Sequence, residues 1–174
     1  LGILCGYKKD TPIDDGITVF SFLGLSMPSF WLGLMLILLF SYQLDLFPTS
    51  GFMNPLLYGE PFYKKAGNIL YHMCLPLLTI MIGGIAGLTR YNRFGIIKIL
   101  GQDYITAARA RGVSESRILF KHAFKNILLP IITLLGLDLP GLISGSYIIE
   151  FIFSWPGMGQ LAIQSVFQRD YPIL

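Results

Sequence analysis

Charged side chains are concentrated in one stretch of this apolar chain, residues 103–130. A stretch of mixed sign has the groups for ionic docking to another protein, or for lying against anionic lipid headgroups. Which of these two surfaces it meets decides what the chain does. The charged residues of the stretch are Asp103, Arg109, Arg111, Glu115, Arg117, Lys121 and Lys125.

Two further carboxylates adjoin apolar segments. Asp138 lies in a long apolar run, where a charge facing lipid costs roughly 2.5–3.5 kcal/mol. We expect it to face the helix bundle or a watered path, as a packing hydrogen bond or as a contact for a peptide amine. Glu150 is expected to be a solvated or gate-supporting carboxylate rather than a ligand. With Pro156 and two turn glycines that can take positive φ, Gly157 and Gly159, these are the candidate pathway or gate residues.

Catalytic and metal chemistry are not indicated. His72 and His122 have no Cys, His or carboxylate arrangement at ligand spacing, so no metal site is predicted. Serines and acids match no nucleophile motif, and there is no G-x-x-x-x-G-K-[ST] phosphate loop. We therefore predict that the chain is not an enzyme and binds no cofactor of its own.

The composition identifies a membrane protein. Hydrophobic residues make up 53% of the chain and charged residues 13%, and the mean hydropathy is +0.63, well outside the soluble range. The net charge is +3, and the basic residues cluster between Arg90 and Lys125, which indicates membrane orientation rather than nucleic-acid binding. Cys5 and Cys74 are interpreted as buried free thiols.

Three apolar runs predict membrane spans in an all-α, polytopic helical bundle. Each is about as long as the roughly 20 residues that cross a hydrocarbon core. Pro28 should bend the first span. The predicted spans cover residues 17–43, 72–95 and 126–149.

The basic residues orient these spans. Residues 44–71 are rich in turn formers and carry two lysines, whereas the loop about 96–125 and its flanks carry many more Lys and Arg. The positive-inside rule therefore places 96–125 in the cytoplasm and 44–71 outside.

The cytoplasmic loop should form a helical elbow. Asp103 is expected to cap a short helix that Gly112 ends, and a second helix should start at Ser114, with Glu115 in its first turn. His122 is expected to brace this elbow. The predicted apolar stripe of the second helix is Phe120, Phe124, Ile127 and Leu128.

Small residues on the first helix matter as much as its charges. The alanines Ala107, Ala108 and Ala110 would give it a low profile, which suits a helix lying in another protein's groove between Arg109 and Arg111. Docking to a cytosolic partner and lying on anionic lipid both stay open on this chemistry alone.

These motifs resemble the EAA loop of bacterial ATP-binding cassette importer permeases. YITAARARGVSESRILFKHAFKNILLP and EFIFSWPGMGQLAIQSVFQRDYP, with MPSFWLGLMLILLF and LFPTSGF, are similar to the dipeptide, oligopeptide and nickel subfamily. The resemblance covers nearly the whole chain. Thr106 replaces the glutamate that names the loop, which leaves Asp103, Arg109 and Arg111 as candidates for the polar contact to the ATPase.

The resemblance implies a type I importer transmembrane domain, incomplete at both ends, in the bacterial inner membrane. It implies a coupling helix that docks on a cytosolic ATPase subunit, which uses the ATP, and transport by alternating access. Further implied partners are a second permease subunit, an extracellular or periplasmic solute-binding protein and membrane lipid, but no nucleic acid. The implied coupling residues are Asp103, Tyr104, Thr106, Ala107, Ala108, Arg109, Arg111 and Gly112, with His122, Asn126 and Pro130 supporting the elbow.

Dipeptides or oligopeptides are the expected solutes, with nickel complexes as an alternative within the same subfamily. Two other classes stay open at this point: a secondary carrier or channel, for which Asp138 and the broken helices would be the relevant features, and a membrane enzyme.

Overall fold

The computed structural model describes residues 1–173, and side chains are described for residues 1–141 and 145–173. Within these residues the fold is helical and contains no β-strand. The chain divides into two compact units, one of Leu1–Ser26 and Gly83–Asp138, the other of Met27–Ile82 and Leu139–Leu174. The α-helices in chain order are α1 (Gly2–Tyr7), α2 (Pro12–Ser26), α3 (Ser29–Leu36), α4 (Phe62–Leu100), α5 (Asp103–Ala110), α6 (Glu115–Arg117), α7 (Lys125–Ser144), α8 (Tyr147–Ile152) and α9 (Met158–Gln168).

Two helices are long and apolar enough to cross a membrane. They are α4 and the continuous helical stretch Glu115–Gly141, and α2 with α3 would make a third crossing if the pair forms one broken span. Glu115–Gly141 includes a π-helical segment, Ile118–Phe124, and a second π-helical segment, Ile37–Gln43, extends α3. These findings agree with the predicted all-α membrane fold.

The first predicted span is broken at residues 27–28, the position at which Pro28 predicts a bend. Pro12 occupies the first position of α2, where its missing N–H costs nothing, and Asp14 and Asp15 face the positive end of the helix. The ring of Pro28 disfavours the helical conformation at the preceding residue, Met27. Consequently α2 ends at Ser26 and α3 begins at Ser29.

The other predicted boundaries also change. We expected residues 44–71 to be a loop, but α4 already begins at Phe62, directly after Pro61, and continues through Pro76. The third predicted span, 126–149, is wrong at its end because Gly145 has φ +74 and separates α7 from α8.

The first unit has two adjoining apolar cores. One holds Ile96 of α4 with Leu119, Ala123 and Ile127 from the π-helical segment and α7. The other holds Ile105 and Ala108 of α5 with Ile118, and Ile99 and Leu100 at the end of α4 pack against it. The cores therefore join α4 to both arms of the predicted elbow.

The second unit has its own core of Leu75, Ile149 and Phe153. The Gly51 N–H donates to the Phe153 carbonyl at 2.8 Å, and the Tyr71 hydroxyl donates to the Leu46 carbonyl at 2.6 Å. These bonds tie the segment between α3 and α4 to this core.

Candidate functional site

The first arm of the elbow is α5, which begins one residue earlier than a cap at Asp103 would require. Gln102, with ψ 149, is the capping residue, and no side chain caps the helix. The prediction that Asp103 is the cap is therefore wrong. Asp103 is the first helical residue, exposed at the positive end of the helix, where a carboxylate is favourable.

Gly112 ends α5 as predicted. Its φ is +77, which a residue with a Cβ rarely adopts, and its N–H donates to the Arg109 carbonyl at 2.9 Å. The Val113 N–H then donates to the Ala108 carbonyl at 3.2 Å, which closes the last turn. Ser114, with ψ 144, precedes the second arm, whose first residue is Glu115. We call residues 111–114 the corner.

An ion pair spans the corner. Arg109 Nε donates to Glu115 Oε1 at 2.7 Å and its Nη2 donates to Oε2 at 3.1 Å. The Glu115 carboxylate raises the pKa of the Arg109 guanidinium, because it accepts hydrogen bonds from the charged form. Both side chains are more than 40% exposed, so solvent screens the pair and it contributes little to stability. The neighbouring Arg111 Nε donates to the Ala107 carbonyl at 3.2 Å.

The two faces of α5 have different surroundings. Ile105 is fully buried and Ala108 is 5% exposed, and both pack on Ile118. Ala108 therefore faces the chain's own core, which corrects the expectation that all three alanines form a docking face. The exposed residues of α5, together with Arg111, form a surface that we call the outer face: Asp103, Tyr104, Thr106, Ala107, Arg109, Ala110 and Arg111.

The two arms are also joined by a side-chain hydrogen bond. Asn126 Nδ2 donates to the Tyr104 hydroxyl at 3.0 Å, so a predicted support residue holds a predicted coupling residue. Tyr104, Asn126 and Pro130 line a cavity of about 510 Å³ with residues of α4 that include Lys98. His122 is half-buried in the π-helical segment, and its bracing role stays a prediction.

The buried stripe of the second arm differs from the prediction. Leu119, Ala123 and Ile127 pack in the core, whereas Phe120 is 61% exposed. The π-helical segment explains the difference, because its wider turn shifts which side chains share a face relative to an α-helix. The predicted stripe that included Phe120 is therefore wrong.

Glu150 is buried, so the expectation of a solvated carboxylate is wrong, whereas its gate-supporting role stays a prediction. It is 9% exposed, and its Oε2 accepts a 2.7 Å hydrogen bond from the Gln160 N–H near the start of α9. It borders a cavity of about 210 Å³ that Pro76 and Trp155 also line. A buried carboxylate needs such donors, because its desolvation is otherwise costly.

Three glycines surround this carboxylate, which we call the glycine cradle. A Cβ on Gly157 would lie 2.6 Å from Glu150 Oε2 and nearer still to its Cδ. A Cβ on Gly145 would collide with Oε1, and one on Gly159 would lie 2.7 Å from the Tyr147 nitrogen. Gly157 has φ −117 and Gly159 lies in α9, so neither uses the positive φ that glycine can take. Glycine is needed at both positions because neighbouring atoms of Glu150 and Tyr147 lie too close for a Cβ.

The remaining candidate gate residues are exposed on this chain. Pro156 lies at the surface between α8 and α9. Asp138 is exposed on α7, so it is not a packing residue within the chain. On an apolar helix this position must meet protein or water, because lipid contact would be costly.

Sequence reasoning missed the ion pair between Asp14 and Arg93. Arg93 Nε donates to Asp14 Oδ1 at 2.6 Å and Nη2 donates to Oδ2 at 2.7 Å, across 79 residues of sequence. The spacing of the two residues gives no indication of contact. The predicted topology does, because it places both residues at the cytoplasmic ends of their helices.

Comparison with known proteins supports the resemblance read from the motifs. The profile of the family described as "Binding-protein-dependent transport system inner membrane component" matches residues 1–174. The identification of an ATP-binding cassette importer permease family from the motifs is thereby confirmed.

Curated relatives align along essentially all of this chain. It is 44% identical to the oligopeptide transport system permease protein AppB of Bacillus subtilis, over 99% of this chain and 53% of the relative. It is 35% identical to the di/tripeptide permease DppB of Pseudomonas aeruginosa, over 99% of this chain and 55% of the relative. It is 35% identical to the dipeptide permease DppB of Escherichia coli, over 100% of this chain and 56% of the relative. The chain therefore spans about half the length of these relatives.

Proposed function

Because the chain belongs to the family of binding-protein-dependent transport system inner membrane components, we propose that it forms part of a permease subunit of an ATP-driven importer. The observation that carries this proposal is the construction of α5. Its inner face packs on the root of the Glu115–Gly141 helix, while its outer face is exposed beside a glycine corner. An exposed, low-profile helix that is firmly attached to a membrane helix suits a docking role.

The proposed mechanism follows from that attachment. A cytosolic ATPase subunit binds the outer face of α5 and uses the ATP. When ATP binding moves the ATPase, α5 moves with it, and the core of Ile105, Ala108 and Ile118 passes the displacement to the membrane helix. The packed core makes this transfer stiff, because close-packed interiors transmit strain rather than absorb it. The spans then alternate between inward-facing and outward-facing arrangements.

The proposal includes the partners that such importers use. A second permease subunit would complete the translocation path, and an extracellular or periplasmic solute-binding protein would deliver the solute. Exposed Asp138 supports a partner or a watered path beside α7, since its carboxylate should not face lipid. Large apolar side chains on the same helix are also exposed, among them Leu129 and Leu137. These can face either lipid or the second subunit.

We propose peptides as the solute class. The relatives named above are permeases for oligopeptides, di- or tripeptides and dipeptides. A carboxylate can pair with the cationic amine of a peptide, and carboxylates lie both at Asp138 and at the ends of several helices. Among these carboxylates, only Asp138 is both exposed and inside a predicted span.

The test blocks the outer face of α5. In the full-length protein, Ala107→Trp should place a bulky ring where the ATPase docks, and copurification of the ATPase in mild detergent should fall about tenfold or more, equivalent to about 1.4 kcal/mol. Leu56→Trp is the matched control, because Leu56 is 87% exposed on the segment between α3 and α4. It should leave copurification unchanged.

Two results would overturn the proposal. One is equal ATPase recovery from Ala107→Trp and wild-type protein. The other is solute uptake by the purified membrane protein in vesicles without any ATPase subunit, which would identify a carrier or channel.

A further inference from the structure

The Asp14 and Arg93 side chains form a two-point ion pair inside the first unit. The two hydrogen bonds, of 2.6 and 2.7 Å, match the fork of the guanidinium to both carboxylate oxygens. The Asp14 side chain is 1% exposed and that of Arg93 28% exposed. Asp14 also accepts from the Asp10 N–H at 3.1 Å and from the Thr18 hydroxyl at 3.3 Å. The carboxylate is therefore fully engaged at the start of α2.

Other contacts hold α1 and α2 against the same part of α4. A Cβ on Gly6 would lie 3.0 Å from the Arg93 carbonyl, and one on Gly2 would collide with the Thr89 carbonyl, so α1 approaches α4 as closely as glycine allows. The Arg90 guanidinium lies 4.9 Å from the centre of the Phe22 ring of α2, at cation–π distance. The segment of α4 that carries Arg93 is thus fixed to α1 and α2.

The same segment of α4 continues directly into the elbow. Ile96, one helical turn after Arg93, packs on the second arm, and Ile99 and Leu100, one turn further, pack on α5. A displacement of α5 therefore meets two attachments. One is the root of the Glu115–Gly141 helix, and the other is the end of α4, which the ion pair joins to α2.

We propose that Asp14 and Arg93 are a positioning pair that makes α2 follow α5 when the ATPase moves. The inference rests on the proposed function and adds a second route for force, from α5 through the end of α4 to the start of α2. A buried, two-point ion pair suits this task better than an apolar contact. Its geometry does not allow the two helices to slide past each other without loss of both hydrogen bonds.

The experiment measures coupling in the complete transporter reconstituted into vesicles. Asp14→Asn, Arg93→Gln and the double variant should keep ATP hydrolysis but lower solute uptake per ATP hydrolysed by about 2- to 30-fold. The double variant should lose no more than the larger single loss, because both substitutions remove one interaction. Arg93→Lys keeps the charge but not the fork, so its ratio should lie between those of wild-type protein and Arg93→Gln.

Glu60→Gln provides the matched control. Glu60 forms an exposed ion pair of 2.7 Å with Lys64 at the start of α4, and the substitution removes the charge of Glu60 from that pair. Uptake per ATP should not change. An unchanged ratio in Asp14→Asn would overturn the inference. So would a parallel fall of hydrolysis, uptake and recovered complex, which would show a role in stability alone. So would additive losses in the double variant.

Failure of the proposed function is distinguishable from failure of this inference. If wild-type protein recovers no ATPase, the proposed function fails. If wild-type protein recovers the ATPase and all Asp14 and Arg93 variants retain normal coupling, only the positioning pair fails.

Discussion

Gly157→Ala should strongly destabilise the protein by displacing a buried carboxylate. The new Cβ would lie 2.5 Å from Glu150 Oε1 and 2.6 Å from Oε2, well inside van der Waals contact. The carboxylate already occupies the space where a Cβ on Gly145 would lie, so it has little room to move in that direction. It must leave its position and give up the hydrogen bond from the Gln160 N–H.

The expected magnitude follows from two losses. A hydrogen bond to a charged group contributes about 1.5–3 kcal/mol, and overpacking costs about 1–3 kcal/mol. We therefore expect a loss of about 3 kcal/mol or more in the free energy of unfolding. For a protein of this size, that corresponds to about 6–12 °C in apparent Tm. The assay is thermal unfolding of the purified full-length protein in detergent. All variants are compared at one heating rate, because the apparent Tm of an irreversible transition depends on that rate.

Two comparisons make the result decisive. Gly59→Ala is the matched control, because a Cβ there meets nothing within 4 Å, and its Tm should stay within experimental error. Glu150→Ala combined with Gly157→Ala should be more stable than the sum of the single losses predicts, since the colliding group is gone. The reasoning is refuted if Gly157→Ala behaves like Gly59→Ala, or if the two losses simply add.

Two further substitutions test the elbow. Gly112→Val forces a β-branched residue into φ +77, at a cost above the roughly 1–2 kcal/mol of a left-handed residue, and should leave membrane insertion intact while uptake per ATP falls; unchanged coupled uptake would count against the elbow. Tyr104→Phe removes the acceptor for Asn126, about 0.5–1.5 kcal/mol, and should lower the apparent Tm by about 1–6 °C; an identical Tm would show that this bond does not join the two arms.

Local features of the elbow could be predicted from sequence because their causes are local. Gly112 ends α5 because only glycine adopts its φ readily, and Glu115 starts the next helix because a carboxylate is favoured at the positive end. The division of the chain into apolar helices and a polar interval follows from hydropathy alone. These predictions needed no knowledge of tertiary contacts.

The features that the sequence did not reveal depend on contacts between distant segments. The Asp14 and Arg93 pair joins residues 79 positions apart, and no periodicity connects them. The close approach of Gly157 to Glu150 looks, in sequence, like any glycine turn. The buried stripe of the second arm was misassigned because a π-helical turn cannot be read from an assumed period of 3.6 residues.

The length of α4 also determines how far the elbow lies from the bilayer. The uncharged run Ala66–Thr89 of this helix is about 36 Å long at about 1.5 Å per residue, which already exceeds the roughly 30 Å hydrocarbon core. Residues 90–100 then extend α4 by about 16 Å as a stalk. If the helix runs close to the membrane normal, this stalk carries α5 past the headgroups, where a bulky soluble domain can reach it without deforming the lipid surface.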